Sequence, residues 1–164
     1  MEIERKFLLK SIPKDLEQFT HYEIKQAYLC TEPVIRIRQK NDKYILTYKS
    51  AGMRSRIEEE MPLTEDAFLH LLKKADGNII HKTRYLIPNE FEQHTYTIEL
   101  DQFHGVYEGI WLAEVEFESE EQADCYVMPD WFLKEVTYDG SYHNSQLSTM
   151  SLEDIQKLVA KSSH

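Results

Sequence analysis

Cysteine is scarce in this 164-residue chain, with only Cys30 and Cys125. They stand alone, with no CxxC pair and no Cys/His spacing of a zinc site, which excludes a disulfide framework and a zinc-built fold. Glycine and proline number five each and are scattered, so there is no low-complexity tract and no linker. No apolar run approaches the roughly 20 residues a helix needs to span a bilayer. The opening Met1-Glu2-Ile3-Glu4-Arg5 lacks the apolar stretch of a secretory signal. A cytoplasmic protein without membrane contact is the expectation. Positive charge is short as well: Lys and Arg total 19 against 29 Asp and Glu, a net −10. That excludes the broad basic surface of a nucleic-acid binder. A phosphate compound could be held only where the few cations are concentrated.

What remains fits an ordinary globular domain, 41 % hydrophobic and 29 % charged, long enough to bury a core. One domain over residues 1–164 is expected. Period-two patterns mark strands at 2–9, 22–30, 34–40, 43–50, 54–61, 78–87, 95–103 and 111–118, with a short one at 132–137. Asn41-Asp42 reads as a hairpin turn. Thr64 caps an expected helix from Glu65 to about Ala75, and Ser151 opens another that runs to about Ala160. Short helical turns are expected near 13–18, 119–125 and 144–149.

The strands carry an unusual pattern. Alternate residues of a strand point to opposite faces. Glu2, Glu4 and Lys6 share a face, as do Arg36, Arg38 and Lys40. The same spacing joins Arg54, Arg56, Glu58 and Glu60, then Lys82 and Arg84, Glu99 and Asp101, and Glu114 and Glu116. Two readings fit. In the first, the charges form the solvated face of a sheet whose other face is the core. In the second, the sheet closes into a barrel lined with charge, its apolar outside covered by helices. Acid and base are sorted by strand, which favours the second. Buried charges need partners. Paired carboxylates offer hard oxygen ligands to Mg²⁺ or Mn²⁺. Clustered Arg and Lys suit phosphate oxygens. Together they would hold a metal–polyphosphate complex, and the chemistry that follows is phosphoryl transfer.

The motifs themselves resemble a known family. Glu2-Ile3-Glu4-Arg5-Lys6 is an N-terminal ExExK signature. Gln26-Ala27-Tyr28-Leu29, Arg36-Ile37-Arg38, Thr47-Tyr48-Lys49 and Arg56-Ile57-Glu58 follow. Lys82-Thr83-Arg84-Tyr85, Glu99-Leu100-Asp101, Glu114-Val115-Glu116 and a closing Glu135-Val136-Thr137 with Tyr142 and Asn144 complete the order. This series is similar to the CYTH superfamily, the triphosphate tunnel metalloenzymes, with Ala27 where glycine is commoner. The resemblance implies an α+β fold built on an eight-stranded antiparallel β-barrel tunnel with charged interior, flanked by helices. It implies that Glu2, Glu4, Asp101, Glu114 and Glu116 bind Mg²⁺ or Mn²⁺. Arg36, Arg38, Lys49, Arg56, Lys82 and Arg84 would hold the triphosphate. Lys6 would contact phosphate or orient the attacking water, and Tyr28 resembles a proposed proton acceptor. The implied activity is hydrolysis of inorganic tripolyphosphate to pyrophosphate and phosphate, as in the short bacterial members. The alternatives on the same tunnel are a class IV adenylate cyclase, a nucleoside or thiamine triphosphatase, and a non-catalytic polyphosphate-binding module. Outside the tunnel, His104, His143 and His164 are expected at the surface.

Overall fold

A computed structural model describes residues 1–162, so the expectation for His164 lies outside the described residues. The described residues form ten strands: β1 (Glu2–Leu9), β2 (Thr20–Thr31), β3 (Val34–Lys40), β4 (Lys43–Lys49), β5 (Ser55–Arg56), β6 (Glu58–Leu63), β7 (Asp76–Phe91), β8 (His94–Phe103), β9 (Trp111–Phe117) and β10 (Phe132–Glu135). Four helices accompany them: α1 (Glu65–Leu72), α2 (Glu120–Cys125), α3 (Asn144–Thr149) and α4 (Leu152–Ser162). No helix among the described residues is long and apolar enough to cross a membrane.

All the strands belong to one antiparallel sheet. Its order is β10-β1-β9-β8-β7-β2-β3-β4-β6, and β5 returns to pair with β1. That return nearly closes a barrel. Two register pairs close it, Glu2 with Arg56 and Ile3 with Ser55. The expected strand count of eight becomes ten for two local reasons. Ile57 interrupts the run expected at 54–61, leaving β5 on β1 and β6 on β4. The short β10 adds to the edge of β1 beside Phe7–Leu9, outside the ring. Counting β5 and β6 as one bent strand, the ring itself has eight.

The apolar residues lie outside the ring, at its end and under its helices. One cluster joins Ile3, Phe7, Ile98, Leu100, Val115 and Phe117 to Ala123 and Tyr126 beneath α2, with Phe132 of β10. A second packs Phe68 of α1 on Ala27 and Ile37. The third gathers Leu8, Ile80, Phe103 and Leu112 against Leu147, Ile155 and Leu158 of α3 and α4. Leu8 follows Lys6 on its face of β1, Ile80 precedes Lys82 on β7, and Leu112 precedes Glu114 on β9. The inward face therefore turns from charged to apolar toward one end, where α3 and α4 pack.

Both helix caps expected from sequence form. Thr64 accepts from the Ala67 amide at 3.1 Å, and Ser151 accepts from the Asp154 amide at 3.2 Å. The first helix ends at Leu72, earlier than expected, and β7 already begins at Asp76. Gly77 has a φ of +72°, and a Cβ there would run into the Ser148 carbonyl of α3. Only glycine adopts this conformation freely and permits that approach. Gly77→Ala is expected to cost about 2 kcal/mol or more, read as a lowered thermal midpoint, and to loosen α3.

Candidate functional site

The interior of the barrel is a cavity of about 200 Å³. Its lining includes Glu2, Glu4, Lys6, Tyr28, Arg36, Arg38, Lys49, Arg56, Arg84, Glu114 and Glu116. Eleven of the thirteen residues singled out from sequence therefore meet at one site. They come from β1, β2, β3, β4, β5, β7 and β9, which explains why the motifs are spread along the whole chain.

The remaining two, Lys82 and Asp101, share the inward parity but lie deeper, toward the apolar end, 0 % and 1 % exposed. Asp101 accepts two hydrogen bonds from Arg84, at 2.7 and 2.8 Å. It also pairs with Lys82 Nζ at 2.7 Å. Lys82 in turn donates to Asn144 Oδ1 at 3.1 Å, tying the barrel to α3. Burial pushes Lys82 down to about 7, against the pull of Asp101. Arg84 and Lys82 overcome burial at Asp101 and hold it below the usual aspartate range. Asp101 thus neutralises two buried cations, and both of its oxygens are engaged.

Charge is distributed unevenly around the ring. Strand β3 lies four steps from β9 in ring order, directly across the cavity. On the β1–β9 side, Glu4 stands opposite Glu116, and on the β8–β9 side Glu99 stands opposite Glu114. Like charges directly opposite one another destabilise a sheet. Burial, then Glu114, pushes Glu4 up to about 8. Burial raises Glu2 and Glu116 as well. Glu114 is held well below the usual glutamate range, because Lys6 and Arg84 outweigh its burial. Lys6 Nζ lies 3.2 Å from Glu114 and donates to the Tyr142 carbonyl at 3.2 Å. Burial opposes the Lys6 charge, but Glu114 and Glu4 outweigh it and raise the pKa. Lys49 pairs with Glu2 at 2.9 Å, and Arg56 lies 3.7 Å from Glu2 and 3.8 Å from Glu4.

On the β3 side the cations lack direct ion pairs, although Glu60 of β6 is held below the usual glutamate range by a hydrogen bond with Glu58 and by the charges of Arg36 and Arg38. Arg36 donates to Thr47 Oγ1 at 3.1 Å, and Arg38 donates to Gln26 Oε1 at 2.8 Å. Among the described residues neither has an ion-pair partner. Arg36 Nε is buried with no hydrogen-bond partner at all. Burial, with Arg36 and Arg84 nearby, pushes Arg38 down to about 9. A guanidinium remains charged in proteins, so this crowding is relieved by an anion.

The chemistry of the donors fits a divalent cation on the carboxylate side, since the stacked carboxylates repel one another and a hard cation suits their oxygens. The ligand set is not closed, however. Among the described residues no three Asp, Glu, His or Cys side chains stand together as a ready-made metal site. Glu2 and Glu114 turn instead to Lys49 and Lys6.

Lys40, Glu58, Glu60 and Glu99, placed by sequence on the charged faces without a site role, also line the cavity, as does Thr47, which shares the parity of Lys49. Glu58 lies 3.8 Å from Lys49. Tyr28 is a buried wall residue whose hydroxyl accepts from the Gln26 amide at 3.3 Å. His143, expected at the surface, is 7 % exposed and lines the cavity. It follows a single helical turn that brings the chain back across the barrel, and no periodic pattern marks that return. His104 is half-buried, its Nε2 2.7 Å from Thr83 Oγ1.

A near-closed antiparallel barrel with opposed acidic and basic inner walls defines a small class of proteins, and the chain matches the CYTH domain over residues 1–145. It belongs to the CYTH family. An inorganic triphosphatase of Nitrosomonas europaea is 36 % identical over 152 residues, covering 90 % of this chain and 96 % of its own. One from Acetivibrio thermocellus is 34 % identical, covering 89 % and 92 %. The crystal structure of the inorganic triphosphatase NE1496 superposes with a TM-score of 0.67 at 33 % identity, over 92 % of this chain and 96 % of that one.

Proposed function

We propose that this protein hydrolyses inorganic tripolyphosphate to pyrophosphate and phosphate with the help of a divalent cation, Mg²⁺ or Mn²⁺. The observation that carries this reading is the pair Arg36 and Arg38, which line the cavity with no direct ion pair among the described residues, across from the carboxylates of β1 and β9. The names of the relatives support it. So does the lining: Val34 and Ile45 are its only aliphatic side chains among the described residues, which leaves little surface for an organic head group.

Arg36 and Arg38 hold the phosphate chain through their planar forks. Arg84 and Lys40 extend the same wall, while Lys49 and Arg56 approach it from β4 and β5. Lys82 supports this wall from the buried end through Asp101 and Arg84. Glu2, Glu4, Glu114 and Glu116 hold the cation. When bound, the cation supplies charge neutralisation on phosphate oxygens and a lower pKa for a coordinated water. Lys6 stays protonated beside Glu114 and stabilises charge on the transferring phosphoryl group. Fixed positive charge already in place needs no reorganisation as the bond breaks, which is the main protein contribution to phosphoryl transfer.

The test is phosphate release from tripolyphosphate, ATP and thiamine triphosphate side by side, each with Mg²⁺, Mn²⁺ or EDTA. Fast release from tripolyphosphate that EDTA abolishes is the expected result. Preference for ATP, cyclic AMP formation, or binding without turnover would each overturn it.

The raised pKa of Glu4 adds a prediction. The folded protein holds a proton on Glu4 up to about pH 8, whereas the unfolded chain releases it near the ordinary glutamate value. Between these values the Glu4 contribution to stability falls as pH rises. A cation that replaces this proton is bound more tightly at high pH. Added Mg²⁺ is therefore expected to raise the thermal midpoint more at pH 8.5 than at pH 6.

A further inference from the structure

We propose that His143 accepts the proton of the water that attacks the terminal phosphorus, an inference that rests on the triphosphatase reading above. His143 lies at the cavity wall beside the turn that brings Tyr142 over Lys6. Its Nε2 is 2.7 Å from the Thr137 carbonyl oxygen. A carbonyl can only accept, so Nε2 carries a hydrogen and Nδ1 of the neutral ring keeps its lone pair. Nδ1 has no hydrogen-bond partner among the described residues.

The Thr137 carbonyl is itself fixed. The Lys6 amide donates to Thr137 Oγ1 at 3.0 Å, and the Val136 amide donates to the Lys6 carbonyl at 2.8 Å. The Glu135-Val136-Thr137 segment is thereby pinned to β1 at Lys6, whose Nζ lies 3.2 Å from Glu114. A buried acceptor that orients an imidazole through its far nitrogen is the arrangement used by general-base histidines.

The charged groups around the ring are Lys6 of β1, Arg56 of β5 and Glu114 of β9. Burial, then Lys6 and Arg56, lowers the His143 pKa; Glu114 and the Thr137 carbonyl oppose this. The resting imidazole is therefore neutral at neutral pH. A bound polyanion neutralises Lys6 and Arg56 and makes the ring more basic at the moment a base is needed. In the step itself, the water oxygen bonds to the terminal phosphorus as the bridging P–O bond breaks. The bridging oxygen leaves on pyrophosphate with the bonding electron pair. One water proton passes to Nδ1, the other stays on the new orthophosphate, and the imidazolium later returns its proton to solvent.

His143→Gln keeps a donor for the Thr137 carbonyl and removes the base. It is expected to lower kcat for tripolyphosphate about 100-fold with KM unchanged, to erase the acidic limb of the kcat–pH profile, and to leave the thermal midpoint near that of the parent. Free imidazole should restore part of the activity of His143→Ala. In the unmodified protein, imidazole ¹⁵N spectra without metal should place the resting proton on Nε2 and show Nδ1 titrating at higher pH with tripolyphosphate bound than without it. A kcat within twofold of the parent with the acidic limb retained would overturn the proposal and leave the triphosphatase reading standing, as would a resting proton on Nδ1. No tripolyphosphate hydrolysis by the unmodified protein would remove both.

Discussion

Glu4→Gln is expected to lower metal-dependent phosphate release by about 10³-fold while leaving the empty protein as stable as before or more so. The two halves of this result have one cause. Glu4 is 7 % exposed, stands opposite Glu116, and lies 3.8 Å from its nearest cation. Its charge is therefore costly when nothing fills the cavity, which is why its pKa rises to about 8. Glutamine has the same shape without the charge. A group retained for structure would lose stability on this change. A group whose charge is needed only with the cation bound would lose activity alone. Phosphate release and thermal unfolding of the same sample separate the two, and a lowered midpoint with activity intact would remove Glu4 from the cation site.

Asp101→Ala is expected to act in the opposite way, by lowering stability first. It leaves Lys82 and Arg84 in the wall without their shared anion, and such a broken buried pair costs about 3–5 kcal/mol. For a chain of this size that corresponds to a fall on the order of 10 °C in the thermal midpoint. Asp101→Asn, which keeps the shape and can still accept from Arg84, should lose less. If Asp101 instead bound the cation, both variants would keep their midpoint and lose only the response to Mg²⁺ or Mn²⁺.

Much of this was legible because a strand has only two faces. Once Glu2, Glu4 and Lys6 share a face, their neighbours must lie on the other, and several such strands sorted by sign favour closure. Parity does not give depth. Lys82 and Arg84 have the same parity on β7, yet Arg84 reaches the cavity and Lys82 lies buried nearer the apolar end. Nor does it reveal breaks. Ile57 fits a strand pattern, and the division there comes from tertiary pairing, with β5 drawn to β1 and β6 to β4. The β7–β8 hairpin was longer than expected for a similar reason. Glu92 and Gln93 turn with φ of 48° and 64° and carry no Gly or Asn to announce it. Pro88 sits within β7, beyond the last β2 partner at Leu86, where the strand has a free edge and no ladder bond is lost.

The placement of Arg36 and Arg38 inside an acidic chain has a consequence for how substrate arrives. A chain with net charge −10 repels a polyanion at distances where only the total charge is felt, yet its cavity attracts the same ion once inside. Salt screens the outer repulsion over a Debye length of about 8–10 Å, and reaches the buried arginines far less. Encounter should therefore quicken with ionic strength, opposite to the usual behaviour of electrostatically steered enzymes. Partial charge cancellation by a cation carried on the phosphate chain would lower the same barrier, making the metal-loaded substrate the faster species to enter.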